Sequence, residues 1–155
     1  RRNCPGTAAT TRILMPPAAA WALSSLPALA FFHNEPDVEQ GGKIYAERCA
    51  TCHGTKLEGQ PDWQTPKPDG TYPAPPHDQT GHTWHHDDAM LTDYVTRGGQ
   101  VVLEGMGVEF RSGMPAFGDV ISAAEIADVL AFIKSTWPEQ IKAIQAERTR
   151  LMEAE

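Results

Sequence analysis

The sequence predicts an all-α domain of about four helices joined by long loops. Apolar residues recur at helical spacing in the segments 36–52, 88–98 and 122–136, and no segment shows the alternation that is typical of a strand. Thirteen glycines and thirteen prolines interrupt the chain. This punctuation favours a loop-rich helical domain over a plain helical bundle.

The first predicted helix spans residues 36–52. Pro36 and Asp37 suit its first turn. The side chains expected near one face are Ile44, Tyr45, Arg48 and Cys49. The following residues, 54–88, are rich in Gly, Pro, Asp and His and are predicted to form a long structured loop. A loop of that length in a compact domain usually wraps something.

The second predicted helix spans residues 88–98, with Gly98 and Gly99 as its stop. Its apolar side is formed by Met90, Leu91, Tyr94 and Val95. Residues 99–120 are predicted to be a second long loop.

The clearest helical pattern covers residues 122–136. Ser122 and Glu125 form the sequence signature of a capping box. An apolar stripe follows at Ile126, Val129, Leu130 and Ile133. Pro138 permits a bend before residues 139–155, which are predicted to be a charged helix or tail.

The N-terminal residues 1–33 resemble an export segment. Arg1, Arg2 and Arg12 give a basic start, an uncharged run of 20 residues follows, and the small residues around 28–30 suit a cleavage site. An uncleaved membrane anchor is the alternative, because 20 uncharged residues just span a bilayer. We therefore expect an exported, periplasmic protein, either soluble or anchored on that side.

The remainder of the chain is acidic. From Glu35 onward it has 20 acidic and 10 basic side chains, within a length that allows one small domain. Such a surface repels phosphate backbones, so nucleic-acid binding is excluded as a function, whereas a partner with a basic docking face is suited to it.

The pentapeptide CATCH, residues 49–53, places two cysteines three positions apart with a histidine directly after them. A zinc site needs four ligands, and no second cysteine pair exists, although His82, His85 and His86 leave a Cys-Cys-His-His site open by count. A thioredoxin-like dithiol needs a preceding strand and an α/β pattern, and the sequence shows neither.

Covalent haem attachment is the third chemistry that uses this spacing. Cys49 and Cys52 can each add to one vinyl group of a haem and form two thioethers, and His53 then supplies the proximal nitrogen ligand. The export segment supports this interpretation, because such haems are attached outside the cytoplasm. We therefore expect one covalent haem c and no structural zinc at the histidine cluster.

A haem iron that transfers electrons needs a sixth ligand, and Met114 in RSGMPAFGD is the candidate. Pro115 rigidifies its Gly-rich loop. A thioether is soft and neutral, and His/Met ligation raises the reduction potential. Met90, on the apolar side of a helix, and Met106, which no proline follows, are the alternatives.

Over residues 36–137 the chain resembles the class I c-type cytochromes, small single-haem electron carriers with His/Met ligation, and in particular their bacterial exported members. In that family the first helix has a glycine eight positions before the first haem cysteine and an aromatic residue four before it, which Gly41 and Tyr45 match. The last helix crosses the first at that glycine and presents an aliphatic and an aromatic residue, matched by Val129 and Phe132. MPAF also resembles the family's sixth-ligand loop.

The resemblance implies further contacts around the haem. In the family a proline carbonyl accepts the Nδ1–H of the haem histidine and fixes its ring. Pro75 and Pro76 are the closest equivalents, with Pro76 as our candidate, while Pro66 is nearer in spacing. Trp84 is expected either to donate to a haem propionate or to cover the haem edge. The residues expected to pack on the haem or support its ligands are Gly41, Tyr45, Pro76, Trp84 and Phe132.

The domain organisation that follows is a leader at 1–33, a cytochrome c domain at 34–138 and the charged segment at 139–155. The resemblance implies a non-enzymatic electron carrier, cycling Fe(III)/Fe(II) between periplasmic or membrane redox proteins of a respiratory or photosynthetic chain, as a monomer or a subunit of a complex.

Two other functions remain open at this point. The chain could be the cytochrome subunit of a larger oxidase or dehydrogenase. It could also be a haem peroxidase or gas-binding protein, if Met114 leaves the iron or an imidazole replaces it. The loop histidines relevant to that possibility are His77, His82, His85 and His86, and all four are expected to be exposed.

Overall fold

The structure is a computed structural model that describes residues 35–154. The leader predicted at 1–33 lies outside the described residues. Within them the fold is mostly helical, which confirms the predicted all-α class. No helix in residues 35–154 has the length and apolar character needed to cross a bilayer.

One continuous helical segment runs from Val38 to His53 and carries the CATCH motif. It consists of α1 (Val38–Ile44), a wider π turn (Tyr45–Cys49) and α2 (Ala50–His53). Asp37 caps its start, because its carboxylate accepts the first free backbone N–H groups. Single π turns inside helices are frequent at functional sites. Here the π turn contains the first cysteine of the motif.

The second predicted helix is α3 (Asp88–Arg97), and the helix α4 (Gly99–Gly105) follows it almost at once. The prediction of a loop throughout 99–120 was therefore wrong in its first part. Gly98 ends α3 with a φ of 85°, as a C-terminal glycine should, but Gly99 begins the next helix instead of prolonging the stop.

The last two helices are α5 (Ala123–Ser135) and α6 (Glu139–Met152), separated by the bend at Pro138. The capping box of Ser122 and Glu125 is present in both directions. The charged C-terminal segment is thus helical. It is also packed: Gln145 is buried, and its amide donates to Asp88 Oδ1 (2.6 Å) and to the carbonyl of His86 (3.2 Å).

Two very short strands connect the loops, although the sequence predicted none. β1 (Thr71–Tyr72) lies parallel to β2 (Arg111–Ser112), with Thr71 opposite Arg111 and Tyr72 opposite Ser112. A 3₁₀ turn, Thr83–His85, precedes α3. The pair of strands joins the segment after the CATCH motif to the segment before Met114.

The core forms where α1 crosses α5 at Gly41. A Cβ at Gly41 would stand 1.9 Å from the backbone oxygen of Asp128, so the two helix backbones touch at this point. Beside the crossing, the rings of Tyr45 and Phe132 lie 5.3 Å apart. The buried core residues are Ile44, Tyr45, Leu57, Leu91, Ile121, Ile126, Val129, Leu130, Ile133 and Trp137.

Candidate haem site

The CATCH motif presents two thiols and an imidazole within about one turn of the first helical segment. Cys49 is half-buried, Cys52 is exposed, and the two are not joined to each other as a disulfide. Burial, and secondly the neighbouring Cys52 charge, raises the pKa of Cys49 to about 11. In the polypeptide without haem, Cys49 is therefore a neutral thiol at physiological pH.

His53 is buried, with 7% of its surface exposed, and its tautomer is fixed. Its Nδ1 lies 2.9 Å from the carbonyl oxygen of Pro75, and a carbonyl only accepts, so Nδ1 carries the proton. Burial lowers the pKa of His53, although the Pro75 bond partly opposes this shift. A neutral ring protonated on Nδ1 keeps the lone pair of Nε2 free for a metal ion.

The proline that holds His53 is therefore Pro75, and our candidate Pro76 was wrong by one residue; Pro66 does not hold the ring either. Pro76 is buried directly beside it, where a Cβ on Gly59 would stand 2.5 Å from the Pro76 nitrogen. Gly59 has a φ of 70°, which brings the backbone after the motif against the two prolines.

Tyr45 supports the end of the motif from within the core. It is 2% exposed, and its hydroxyl lies 3.1 Å from the carbonyl oxygen of Gly54 and 3.4 Å from that of His53. Burial is the main cause that raises its pKa, so the hydroxyl remains a donor. These contacts fix the direction in which the chain leaves His53.

His77 lies at this site, although it was predicted to be an exposed loop histidine. Its ring stacks on that of His53, and its Nδ1 is buried with no hydrogen-bond partner among the described residues. Trp137, also unnoticed in the sequence, is 3% exposed, and its Nε1 donates to the carbonyl of His77 at 2.7 Å. The only signal was the position of His77 directly after the two prolines.

Met114 lies in a loop whose backbone is fastened to the α3–α4 junction. Its N–H donates to Ser112 Oγ (3.2 Å), and its carbonyl accepts from the N–H of Gly99 (3.1 Å). A Cβ at Gly98 would stand 2.9 Å from the nitrogen of Ala116. The two glycines that were predicted to stop a helix therefore also let this loop approach closely.

The loop then continues along α3. The N–H groups of Phe117 and Gly118 donate to the carbonyls of Val95 (2.9 Å) and Thr96 (3.0 Å). A Cβ on Gly118 would approach the Thr96 carbonyl oxygen to 2.9 Å, so the glycine is required for this contact. The loop that carries Met114 is thus also hydrogen-bonded to α3 through its backbone at Phe117 and Gly118.

The two alternative methionines have different surroundings. Met90 lies in the first turn of α3, where its N–H donates to the capping carboxylate of Asp87 at 2.9 Å. Met106 is 55% exposed at the end of α4, and a Cβ on either neighbouring glycine would have nothing within 4 Å. Of these three methionines, Met114 is the one whose N–H is bonded within its own loop and whose carbonyl is bonded to the α3–α4 junction.

His82, His85 and His86 lie against one another beside α6. The ring of His82 is 4.8 Å from both His85 and His86, and Arg148 Nε donates to the carbonyl of His85. His86 is half-buried, unlike the expectation of full exposure, and burial is the main cause that lowers its pKa to about 4. Within residues 35–154 no three His, Cys, Asp or Glu side chains are arranged to share a metal ion.

Trp84 packs on the edge of the core and stacks on His85, with ring centroids 3.7 Å apart. Its indole N–H donates to the carbonyl of Gln79 at 3.3 Å. The indole N–H of Trp84 is thus used within its own loop, and a role of Trp84 at the haem edge stays a prediction.

The donor set fits a covalently bound haem. Two thiols that are not bonded to each other and a buried imidazole with a free Nε2 lie within one helical turn of each other. Such a group supplies a one-electron redox centre, whose potential the protein tunes through ligands, burial and hydrogen bonds. A chain with this arrangement belongs to the class of proteins that bind haem through a C-x-x-C-H motif.

Comparison with models of protein families identifies the particular family. The cytochrome c family model matches residues 38–137, which is 100 of the 155 residues, and the chain belongs to that family. A search of curated proteins gives no match. A search of solved structures gives none either. Family membership implies a covalently attached haem c and the general function of a haem-based electron carrier.

Proposed function

We propose that the protein is a single-haem electron carrier with Cys49 and Cys52 as the thioether residues and His53 and Met114 as the axial ligands. The observation that carries the proposal is the bond between His53 Nδ1 and the carbonyl of Pro75. It leaves a neutral, buried imidazole directly after the cysteine pair, with Nε2 free for iron.

The backbone around Met114 supports its role as the sixth ligand. A thioether is a weak ligand for ferric iron, so the loop has to hold it in place. The bonds of Met114 to Ser112 and Gly99 and the close approach over Gly98 do this. His/Met ligation favours ferrous iron and so gives a comparatively high potential. These features support our proposal of a class I c-type cytochrome of the bacterial exported type.

The location and partners follow from the chemistry of attachment and from charge. Thioether formation outside the cytoplasm, together with the basic and apolar segment at 1–33, supports export to the periplasm, either as a soluble protein after cleavage of that segment or anchored to the membrane through it. The excess of acidic side chains after Glu35 suits a redox partner with a basic docking face. We propose redox proteins of a respiratory or photosynthetic chain as the partners.

The test is a combined mass, metal and redox measurement on protein matured in an exporting host. We expect a mass that includes one haem, one iron and no stoichiometric zinc per chain, and a reversible one-electron titration. The ferric protein should be low-spin and show the thioether-to-iron charge-transfer band. A high-spin ferric protein that turns over peroxide would instead identify an enzyme. Copurification with stoichiometric partner subunits would identify a subunit of a larger complex.

A further inference from the structure

The loop formed by residues 60–74 is closed at its base. The N–H of Gln60 donates to the carbonyl of Ala74 at 2.9 Å, and the N–H of Ala74 donates to the side-chain Oε1 of Gln60 at 3.1 Å. Ala74 is followed by Pro75, whose carbonyl holds His53. The base of the 60–74 loop therefore adjoins the support of the proposed proximal ligand.

The far end of the 60–74 loop is shaped by its own polar contacts. The N–H of Lys67 donates to the carbonyl of Thr71 at 2.8 Å, and the carboxylate of Asp69 accepts from the N–H and the hydroxyl of Thr71. These hydrogen bonds are the main cause that lowers the pKa of Asp69. The end is therefore a formed turn, which presents Thr71 and Tyr72 as β1.

This turn is fastened to the segment that precedes Met114. β1 pairs with β2, the ring of Tyr72 stacks on that of Phe110 with centroids 4.1 Å apart and planes 17° apart, and Arg111 donates to the carbonyl of Asp69. An aromatic pair at this distance contributes more to stability than its buried apolar area alone accounts for. Three kinds of contact thus join two loops that are 40 residues apart in the sequence.

The fastened segment in turn positions Met114. Ser112, the last residue of β2, accepts the N–H of Met114 on its hydroxyl (3.2 Å), and its own N–H donates to Gln100 Oε1 (2.9 Å). A Cβ on Gly99 would stand 2.1 Å from that same hydroxyl. Ser112 is therefore positioned by its contacts with α4 and with the 60–74 loop, and its hydroxyl accepts the N–H of Met114.

We propose that the 60–74 loop is a positioning segment for the sixth ligand, and that the stack of Tyr72 on Phe110 holds this loop against the segment that precedes Met114. The inference rests on the proposed function, because it takes Met114 as a ligand of the haem iron. The thioether bond to ferric iron is weak, so its lifetime depends on how often the Met114 loop opens. The Tyr72–Phe110 stack opposes that opening, and it makes the iron resistant to small competing ligands.

The experiment measures replacement of Met114 by imidazole in the ferric holoprotein. At saturating imidazole, the rate at which the thioether charge-transfer band disappears reports opening of the loop. Tyr72→Ala and Phe110→Ala should each raise this rate by about 2- to 12-fold, which corresponds to the loss of one aromatic pair. The double variant should exceed the faster single variant by less than twofold, because both substitutions remove the same contact.

Trp63→Ala is the matched control. It removes a partly buried aromatic side chain from the same loop, and Trp63 stacks on no other ring among the described residues. Its exchange rate should stay within twofold of the wild type. Tyr72→Leu retains apolar bulk and secures the comparison if the alanine variant matures poorly; it should also exchange faster. The free energy of unfolding, measured in parallel, separates local opening from global destabilisation.

The results distinguish failure of the positioning role of the 60–74 loop from failure of the assignment of Met114 as a ligand. If the wild type shows the thioether band and both Tyr72 variants exchange at its rate, the positioning role is overturned and the ligand assignment survives. Equal acceleration by Trp63→Ala, or acceleration that only follows the loss in unfolding free energy, also overturns it. If the wild type has no thioether band at all, the assignment of Met114 fails and this inference fails with it.

Discussion

The imidazole ring of His77 stacks on that of His53, with centroids 3.9 Å apart and planes inclined by 24°. The backbone fixes His77 from both sides, because its N–H donates to Leu57 (2.8 Å) and its carbonyl accepts from Trp137 Nε1 (2.7 Å). Burial, and secondly the charge of His53, lowers the pKa of His77 well below its ordinary value. A second neutral imidazole therefore lies against the proposed proximal ligand, with its Nδ1 unpaired among the described residues.

We expect His77→Leu to raise the free energy of unfolding of the holoprotein by about 1 kcal/mol at pH 8, because an apolar side chain removes the cost of an unpaired buried polar atom. His77→Ala should lower it by about 1–3 kcal/mol, since it leaves a cavity in the same place. Denaturant unfolding measures both. A leucine variant less stable than the wild type would show that the imidazole makes a net favourable contact.

The helices were predictable where local signals agree with burial. Ser122 and Glu125 cap α5, and the apolar spacing that follows is the face that the structure buries. Gly41 was identified through a resemblance, and its reason is visible in the backbone contact with Asp128. In α5 the sequence pattern and the tertiary contact concern the same side chains, so the pattern was sufficient, whereas the role of Gly41 depended on the resemblance.

The features that were missed depend on contacts between loops. A strand of two residues, such as Thr71–Tyr72, has no periodicity to detect. α4 is seven residues long and has glycine at both ends, so in the sequence its start resembles the stop of α3. The choice of Pro75 over Pro76 is a matter of one residue in loop geometry, and the position of His77 depends on its tertiary contacts with His53 and Trp137. None of these has a local signature.

The crossing of α1 and α5 predicts a large effect at Gly41. Gly41→Ala places a Cβ 1.9 Å from the backbone oxygen of Asp128. The backbones of two packed helices cannot easily move apart to relieve this contact. We expect it to lower the free energy of unfolding of the holoprotein by at least about 3 kcal/mol, the upper part of the usual range for overpacking. Chemical denaturation checks this value, and a loss of mature protein would be the extreme case.

Two other glycines serve as controls for this substitution. Gly42→Ala should cost less than Gly41→Ala, because the nearest atoms belong to the movable ring of Phe132, 3.1 Å away. Gly105→Ala should be neutral or stabilise by up to about 1 kcal/mol, since nothing lies within 4 Å and alanine is the better helix former. Equal effects at Gly41 and Gly105 would contradict the close crossing.

The half-buried His86 predicts a loss of stability in acid. Its pKa in the folded protein is about 4, because of burial first and then the nearby His82, Arg148 and His85, while Asp87 acts in the opposite direction. The unfolded chain takes up this proton near pH 6.5 and the folded protein does not. The free energy of unfolding therefore falls as the pH drops from about 6.5 to about 4.

We expect His86→Asn to remove about 1–2 kcal/mol of this acid-dependent loss, a value reduced for the part of the ring that is open to solvent. The contact of Gln145 with the His86 carbonyl is a backbone contact and survives the substitution. The measurement is the free energy of unfolding at pH 7.5 and at pH 4.5 for both proteins. An equal decrease in the two proteins would show that His86 does not carry the effect.

The last prediction concerns the proposed sixth ligand, Met114. Met114→Ala should leave the haem attached, since Cys49 and Cys52 are unchanged, and it should abolish the thioether-to-iron band. The sixth position is then open to solvent, so the ferric spectrum should become high-spin, and the reduction potential should fall because a ligand that favours Fe(II) is lost. At high pH an imidazole from the loop histidines should enter and restore a low-spin spectrum. Absorption spectra and a potentiometric titration measure each of these changes.

Met90→Ala and Met106→Ala separate this result from a general effect of losing a methionine. Met106 is exposed, so its replacement should change the free energy of unfolding by no more than about 0.5 kcal/mol and leave the spectrum low-spin. Met90 is partly buried in α3, and its replacement should lower stability while the thioether band persists. If Met114→Ala retains the native spectrum and potential while Met106→Ala loses them, Met106 is the ligand. The bonds of the Met114 backbone to Ser112 and Gly99 would then have to serve another purpose.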